Sequence, residues 1–152
     1  MEDRVQKAVE LFKSGYNCSQ SVVAAFADMY GFTQEQALRM GASFGGGIGR
    51  MRETCGAACG MFLVAGLETG ATEATDREGK AANYAVVQEL AAEFKKRNGS
   101  TICAELLGLK KSEGVSTPEE RTDQYYAKRP CVRMVEEAAR IWAEYLENRP
   151  SI

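Results

Sequence analysis

The stretch Cys55-Gly-Ala-Ala-Cys-Gly-Met-Phe-Leu-Val-Ala65 decides the fold. It carries no charge on any face. A helix made from it has no side to turn to water, so it is predicted to lie buried at the centre of the molecule. Gly56 and Gly60 fall one helical turn apart, which predicts close approach of a second backbone there. Directly ahead stands Gly45-Gly-Gly-Ile-Gly-Arg-Met-Arg52, a glycine-rich loop that delivers the chain to the start of this helix.

Outward from the centre the apolar residues recur at helical spacing. Val5, Ala8, Val9 and Phe12 form one stripe, ended by Gly15. Val22, Ala25, Phe26 and Met29 form another, ended by Gly31. Thr33 and Gln36 have the spacing of a capping box, followed by Ala37, Met40, Gly41 and Phe44. Asp76 opens a long helix with Tyr84, Val87, Ala91 and Phe94 predicted inward, and Gly99 ends it. Ser100 is placed to cap a short helix over 102–107. Residues 108–129 read as a charged loop with one helix start, Thr117-Pro-Glu-Glu120. The last helix is predicted from Pro130, burying Val135, Ala138, Ala139, Trp142, Tyr145 and Leu146. No segment alternates as a strand does. The expectation is an all-α single domain over residues 1–152, a bundle of about seven helices with the small-residue one at its centre.

The chain has 19 basic and 21 acidic residues and a net charge of −2, which argues against nucleic acid as a partner. Its N-terminus, Met1-Glu-Asp-Arg-Val5, is charged and does not read as a signal peptide. The longest uncharged stretch, residues 54–67, falls short of the roughly 20 residues that span a bilayer. A cytoplasmic protein without membrane insertion is expected. In that compartment unpaired cysteines point to metal or redox chemistry before structural disulfides.

There are five cysteines and no histidine. Histidine-dependent nucleophilic pairs and Cys2His2 zinc sites are thereby excluded. Cys18 follows Asn17, a good N-cap. Cys55 follows the glycine loop, with Thr54 as its cap. Cys103 lies three residues after Ser100, and Cys131 follows Pro130. Four thiols are thus expected at helix starts, where unpaired amides and the helix dipole favour a thiolate. If Arg50 and Arg52 face Cys55, they push it further the same way. The successive separations are 37, 4, 44 and 28 residues, with no CxxC. A shared sulfur site must therefore be assembled by the fold. Cys59, one turn after Cys55, reads either as a small buried residue or as a resolving thiol. The loop glycines Gly45, Gly46, Gly47 and Gly49, with Arg50, suit either a flexible connection or close approach to an anion or cofactor.

The order Cys18, glycine loop, Cys55-Gly-Ala-Ala-Cys-Gly60, Cys103 before Leu106-Leu-Gly108, and Cys131 resembles the C_GCAxxG_C_C family of small proteins described as redox-active. The resemblance covers nearly the whole chain. It implies that Cys18, Cys55, Cys103 and Cys131 are the family's cysteines, while Cys59 falls on a variable position. The resulting expectation is a cysteine-based redox protein, an oxidoreductase or electron-transfer protein. Its four thiols would bind an iron–sulfur cluster or other metal, or cycle between dithiol and disulfide. The partner would be a redox protein or a small molecule, and homodimer assembly stays open. The alternatives are a metal- or ligand-binding module without redox turnover, and a helical interaction protein with buried cysteines.

Overall fold

The structure is a computed structural model that describes residues 1–109 and 114–149. It is all-α. Among the described residues eight α-helices follow one another: α1 (Glu2–Lys13), α2 (Cys18–Phe26), α3 (Gln34–Gly41), α4 (Gly56–Thr69), α5 (Arg77–Asn98), α6 (Cys103–Leu106), α7 (Asp123–Lys128) and α8 (Cys131–Asn148). Two 3-10 turns, Ala27–Tyr30 and Ala42–Phe44, extend α2 and α3.

The uncharged helix is central, as its composition predicts. On α4, Ala57, Ala58, Met61, Val64 and Ala65 are fully buried, and α2, α5 and α8 pack around it. The glycine spacing has the predicted consequence. A Cβ at Gly60 would lie 2.9 Å from the Ser19 carbonyl oxygen, so the α2 backbone runs directly over α4. Gly41 does the same for α3, where a Cβ would meet the Gln20 backbone at 2.8 Å. Small residues draw three helices together here, and the side chains that fill the core come from α1, α2 and α8. Val5, Ala8, Val9 and Phe12 are buried along α1, and Val135, Ala138, Ala139, Trp142 and Leu146 along α8.

The caps explain where the helices begin. Asn17 and Gln20 form a reciprocal capping box at α2, and Thr33 and Gln36 form one at α3. Asp76 caps α5 by accepting from the Gly79 amide at 2.8 Å. At the far end of α5, Arg97 pairs with Glu93, and with Glu137 and Glu144 of α8, at 2.9, 3.4 and 2.6 Å.

Four local expectations need correction. Thr54 does not cap α4, because it is engaged in an isolated antiparallel bridge to Ile102, and Cys55 itself stands at the N-cap. Ser100 serves the bend before α6, accepting from the Ile102 amide, and Ile102 takes the cap position. Residues 117–120 start no helix. The turn forms instead at α7, where the Thr122 hydroxyl accepts from the Tyr125 amide at 3.2 Å. On α5, Tyr84 is 61% exposed, and Leu90 and Phe94 are the buried residues. In the first half of α5, Val86 and Val87 pack partly against the core, while Tyr84 turns to solvent.

Candidate functional site

Cys18, Cys55, Cys103 and Cys131, drawn from four separate helix starts, line one cavity of about 400 Å3. Gly45, Gly46, Gly47, Gly49 and Arg50 line the same cavity. Cys59 does not border it; its thiol lies 3.8 Å from the Thr54 carbonyl. All five thiols are free.

Each cysteine is positioned by a different device. Cys18 is the first residue of α2, fixed by the Asn17 box. Its sulfur rests against Gly56, where an added Cβ would come within 2.5 Å of it. Cys55 and Cys103 are placed by the Thr54–Ile102 bridge. The Cys55 amide donates to the Thr101 carbonyl at 2.7 Å, and the Cys103 amide donates to the Glu53 carbonyl at 2.6 Å. Both cysteines are one residue past a bridging residue, so strand alternation sends both side chains to the same face. Cys131 opens α8 after Pro130.

The glycine loop is more than a connection. Gly46, Gly47, Ile48, Gly49 and Arg50 all have positive φ, between 57° and 71°, and Arg52 follows at 60°. A β-branched residue at such a φ is a strained conformation held by its surroundings. Backbone bonds hold it here. The amides of Gly49, Arg50, Arg52 and Glu53 donate back to the carbonyls of Ser43, Gly45, Gly46 and Gly47. Close approach explains two of the glycines. A Cβ at Gly46 would lie 2.7 Å from the Arg50 side chain, and one at Gly47 would lie 2.5 Å from the Cys103 Cβ. The Gly46 amide also favours the ionised form of Cys18.

Burial governs the thiols more strongly than the helix ends do. It pushes Cys18 up, with Cys103 nearby adding to the rise and the Gly46 amide opposing it. It pushes Cys55 well above the ordinary thiol range, helped by the neighbouring Cys18 and opposed by the Ala57 and Ala58 amides at the start of α4. Cys131 is pushed up to about 11, by burial first and by Cys18 and Cys103 next. The expectation of a thiolate-favouring position at Cys55 is therefore reversed: the amides are present, but desolvation outweighs them. The two arginines reach other groups. Arg52 is buried and places Nη1 3.7 Å from the Cys103 sulfur. Arg50 donates to the carbonyls of Val115 and Thr117.

Another part of the lining comes from a segment that sequence reasoning passed over. Ser116, Pro118, Glu119, Arg121 and Tyr125 line the cavity. Arg121 lies over the Phe12 ring at 4.1 Å and donates to the carbonyls of Phe12 and Tyr16. Arg129 pairs with Glu119 at 2.6 Å. Burial raises the Tyr125 phenol to about 12, with the neighbouring Cys131 adding to the rise. Thr122 followed by Asp123 was the available signal for this turn, an N-cap with an acid behind it.

Among the described residues, no three cysteine, aspartate or glutamate side chains are grouped so as to hold a metal ion. Among the same residues no helix is long and apolar enough to cross a membrane.

Fold and site together define a small all-α protein with a thiol-lined cavity. The chain belongs to the C_GCAxxG_C_C family: the model of that family, described as "Putative redox-active protein (C_GCAxxG_C_C)", matches residues 16–145. No curated protein and no solved structure matches the chain.

Proposed function

We propose that this chain is a cytoplasmic thiol–disulfide redox protein whose cavity admits a small disulfide. The observation that carries the reading is four free thiols on one cavity of about 400 Å3. That volume lies within the range of small-molecule sites. The four sulfurs are read as exchange groups and not as a ligand set, since they do not group as metal ligands do.

Cys103 is assigned the attack, because it is the cysteine that a guanidinium meets. Its thiolate adds to one sulfur of the incoming disulfide, forming a mixed disulfide and expelling one thiolate. Cys18 then resolves. Cys103 is among the charges that raise the Cys18 thiol, which places the two sulfurs in each other's field. The Cys18 thiolate attacks the Cys103 sulfur, a Cys18–Cys103 bond forms, and the second half of the substrate leaves. Two protein thiols lose two electrons and two protons in all, and one substrate disulfide becomes two thiols. Cys55 and Cys131 line the same cavity.

Equilibration of the protein in glutathione buffers from about −120 to −320 mV, followed by peptide mapping, tests this. A Cys18–Cys103 cross-link that appears as the buffer becomes oxidising is expected. A first cross-link between other cysteines overturns the assigned pair. Thiols that stay reduced throughout, or end only as mixed disulfides, overturn the redox reading.

A further inference from the structure

We infer that residues 115–122 form a strap on the thiol cavity, latched by Arg121, which lifts to let a substrate disulfide reach the sulfurs. This control of access deepens the redox reading of the site and rests on it for the disulfide. Residues 115–122 adopt neither helix nor strand, and residues 115–120 are exposed. Ser116, Pro118, Glu119 and Arg121 nevertheless line the cavity. Residues that meet both solvent and cavity form part of the cavity's outer boundary. Within that boundary Cys55 and Cys103 are only 6% and 8% exposed.

The attachment of this segment is unlike that of the helices. Among the described residues, no backbone amide of 115–122 donates outside the segment. Side chains make the ties instead. Arg50 of the glycine loop donates to the carbonyls of Val115 and Thr117, and Arg129 pairs with Glu119 at 2.6 Å. These bonds are exposed, and water competes for each of them. A segment held by side chains, without a ladder of backbone bonds, opens locally while the core stays packed.

Arg121 is the tie that decides. It donates to the Phe12 carbonyl and, at 2.7 Å, to the Tyr16 carbonyl, and both bonds are partly buried. Its guanidinium lies 4.1 Å from the centre of the Phe12 ring. Phe12 stands in the last turn of α1, where the carbonyls carry the negative end of the helix dipole. A cation sheltered between these carbonyls and an aromatic face is held more firmly than one paired in open water.

The test labels the reduced protein with N-ethylmaleimide and with a maleimide joined to a polyethylene glycol chain. Each rate is normalised to that of a free model thiol with the same reagent. In the unaltered protein the bulky reagent is expected to reach Cys103 at least about tenfold more slowly than the small one. Arg121→Gln is expected to raise the bulky reagent's rate at Cys103 about tenfold, the loss of one hydrogen bond to a charged group. Arg121→Lys keeps the charge without the fork and is expected to restore part of the discrimination. Cys59, outside the cavity, reports loosening of the whole fold and should not change. Equal normalised rates in the unaltered protein overturn the inference. So does an Arg121→Gln variant in which Cys103 and Cys59 accelerate equally, or in which neither does. Equilibration of the same variant in the glutathione buffers separates the strap from the redox reading. Faster bulky labelling without an internal cross-link leaves the strap standing and removes the dithiol cycle. A cross-link with unchanged labelling leaves exchange standing and removes the strap.

Discussion

Arg52 is tied to Cys103 from two sides. Its guanidinium Nη1 lies 3.7 Å from the cysteine sulfur, and its carbonyl accepts from the Ala104 amide at 3.1 Å. The loop residue that carries the charge is therefore fixed to the helix that carries the thiol. The side chain is 8% exposed, and the contact lies out of bulk water, where a charged hydrogen bond is worth more than at the surface.

That contact predicts which thiol answers to which arginine. Arg52→Gln is expected to slow alkylation of Cys103 by about tenfold near neutral pH, the loss of one hydrogen bond to a charged group. Cys55 should change little. Iodoacetamide labelling followed by peptide mass spectrometry reads both rates in one experiment. A larger effect at Cys55 than at Cys103 would reverse the assignment.

The buried thiols predict a weakening of the fold in alkali. Cys59 and Cys131 are each raised from about 9 to about 11, in both cases chiefly by burial. The folded state holds these protons after the unfolded chain has released them. Their stabilising contribution is thus complete below pH 9 and is lost as pH rises through about 11. Cys131→Ser should reduce the loss of stability between pH 8.5 and 10.5 by about 1 kcal/mol, after allowance for partial solvent screening. Urea denaturation of both proteins at the two pH values measures the difference. Equal losses would mean that Cys131 does not contribute.

Glycines on α4 should split into two classes. Gly56→Ala sets a Cβ 2.5 Å from the Cys18 sulfur and 2.7 Å from the Phe44 carbonyl oxygen, and is expected to cost about 1–3 kcal/mol by overpacking. Gly66, on the same helix, has nothing within 4 Å of an added Cβ. Gly66→Ala is expected to stabilise by about 0.5–1 kcal/mol through the lower entropy of the unfolded chain. Thermal melts of the two variants should move in opposite directions.

Cys59 is expected to be dispensable for exchange. Its sulfur faces the Thr54 carbonyl and not the cavity. Cys59→Ala should cost about 1 kcal/mol of stability and leave the cross-link in oxidising buffer intact. Cys18→Ser should abolish the cross-link and leave Cys103 as a mixed disulfide. Persistent loss of exchange in the Cys59 variant would restore its reading as a resolving thiol.

The parts of the fold that depend on spacing along the chain were legible in the sequence. The stripes of α1 and α8, the cap at Asn17, the box at Thr33, and the central place of α4 all follow from composition within one or two turns. Two kinds of feature were not legible. The Thr54–Ile102 rung joins residues far apart in sequence, and a single rung leaves no alternating pattern to find. The direction of Arg50 and Arg52 depends on successive positive φ angles, which reverse the usual sense of the backbone and turn Arg52 toward Cys103. Proximity in sequence to Cys55 was therefore a poor guide. The thiol environment was misread for a related reason: helix ends can be recognised from capping residues, whereas the depth of a sulfur is set by everything packed over it.

The single rung between Thr54 and Ile102 also frees the chain that it encloses. Everything from α4 through α5 leaves the cavity at Cys55 and returns to it at Thr101, clasped at the base. The spacing of Cys55 and Cys103 is accordingly indifferent to how long that excursion is. Insertions or deletions in the connection over 70–76, at the far end of the α4–α5 pair, would lengthen or shorten an arm while leaving the sulfur geometry at its root unchanged.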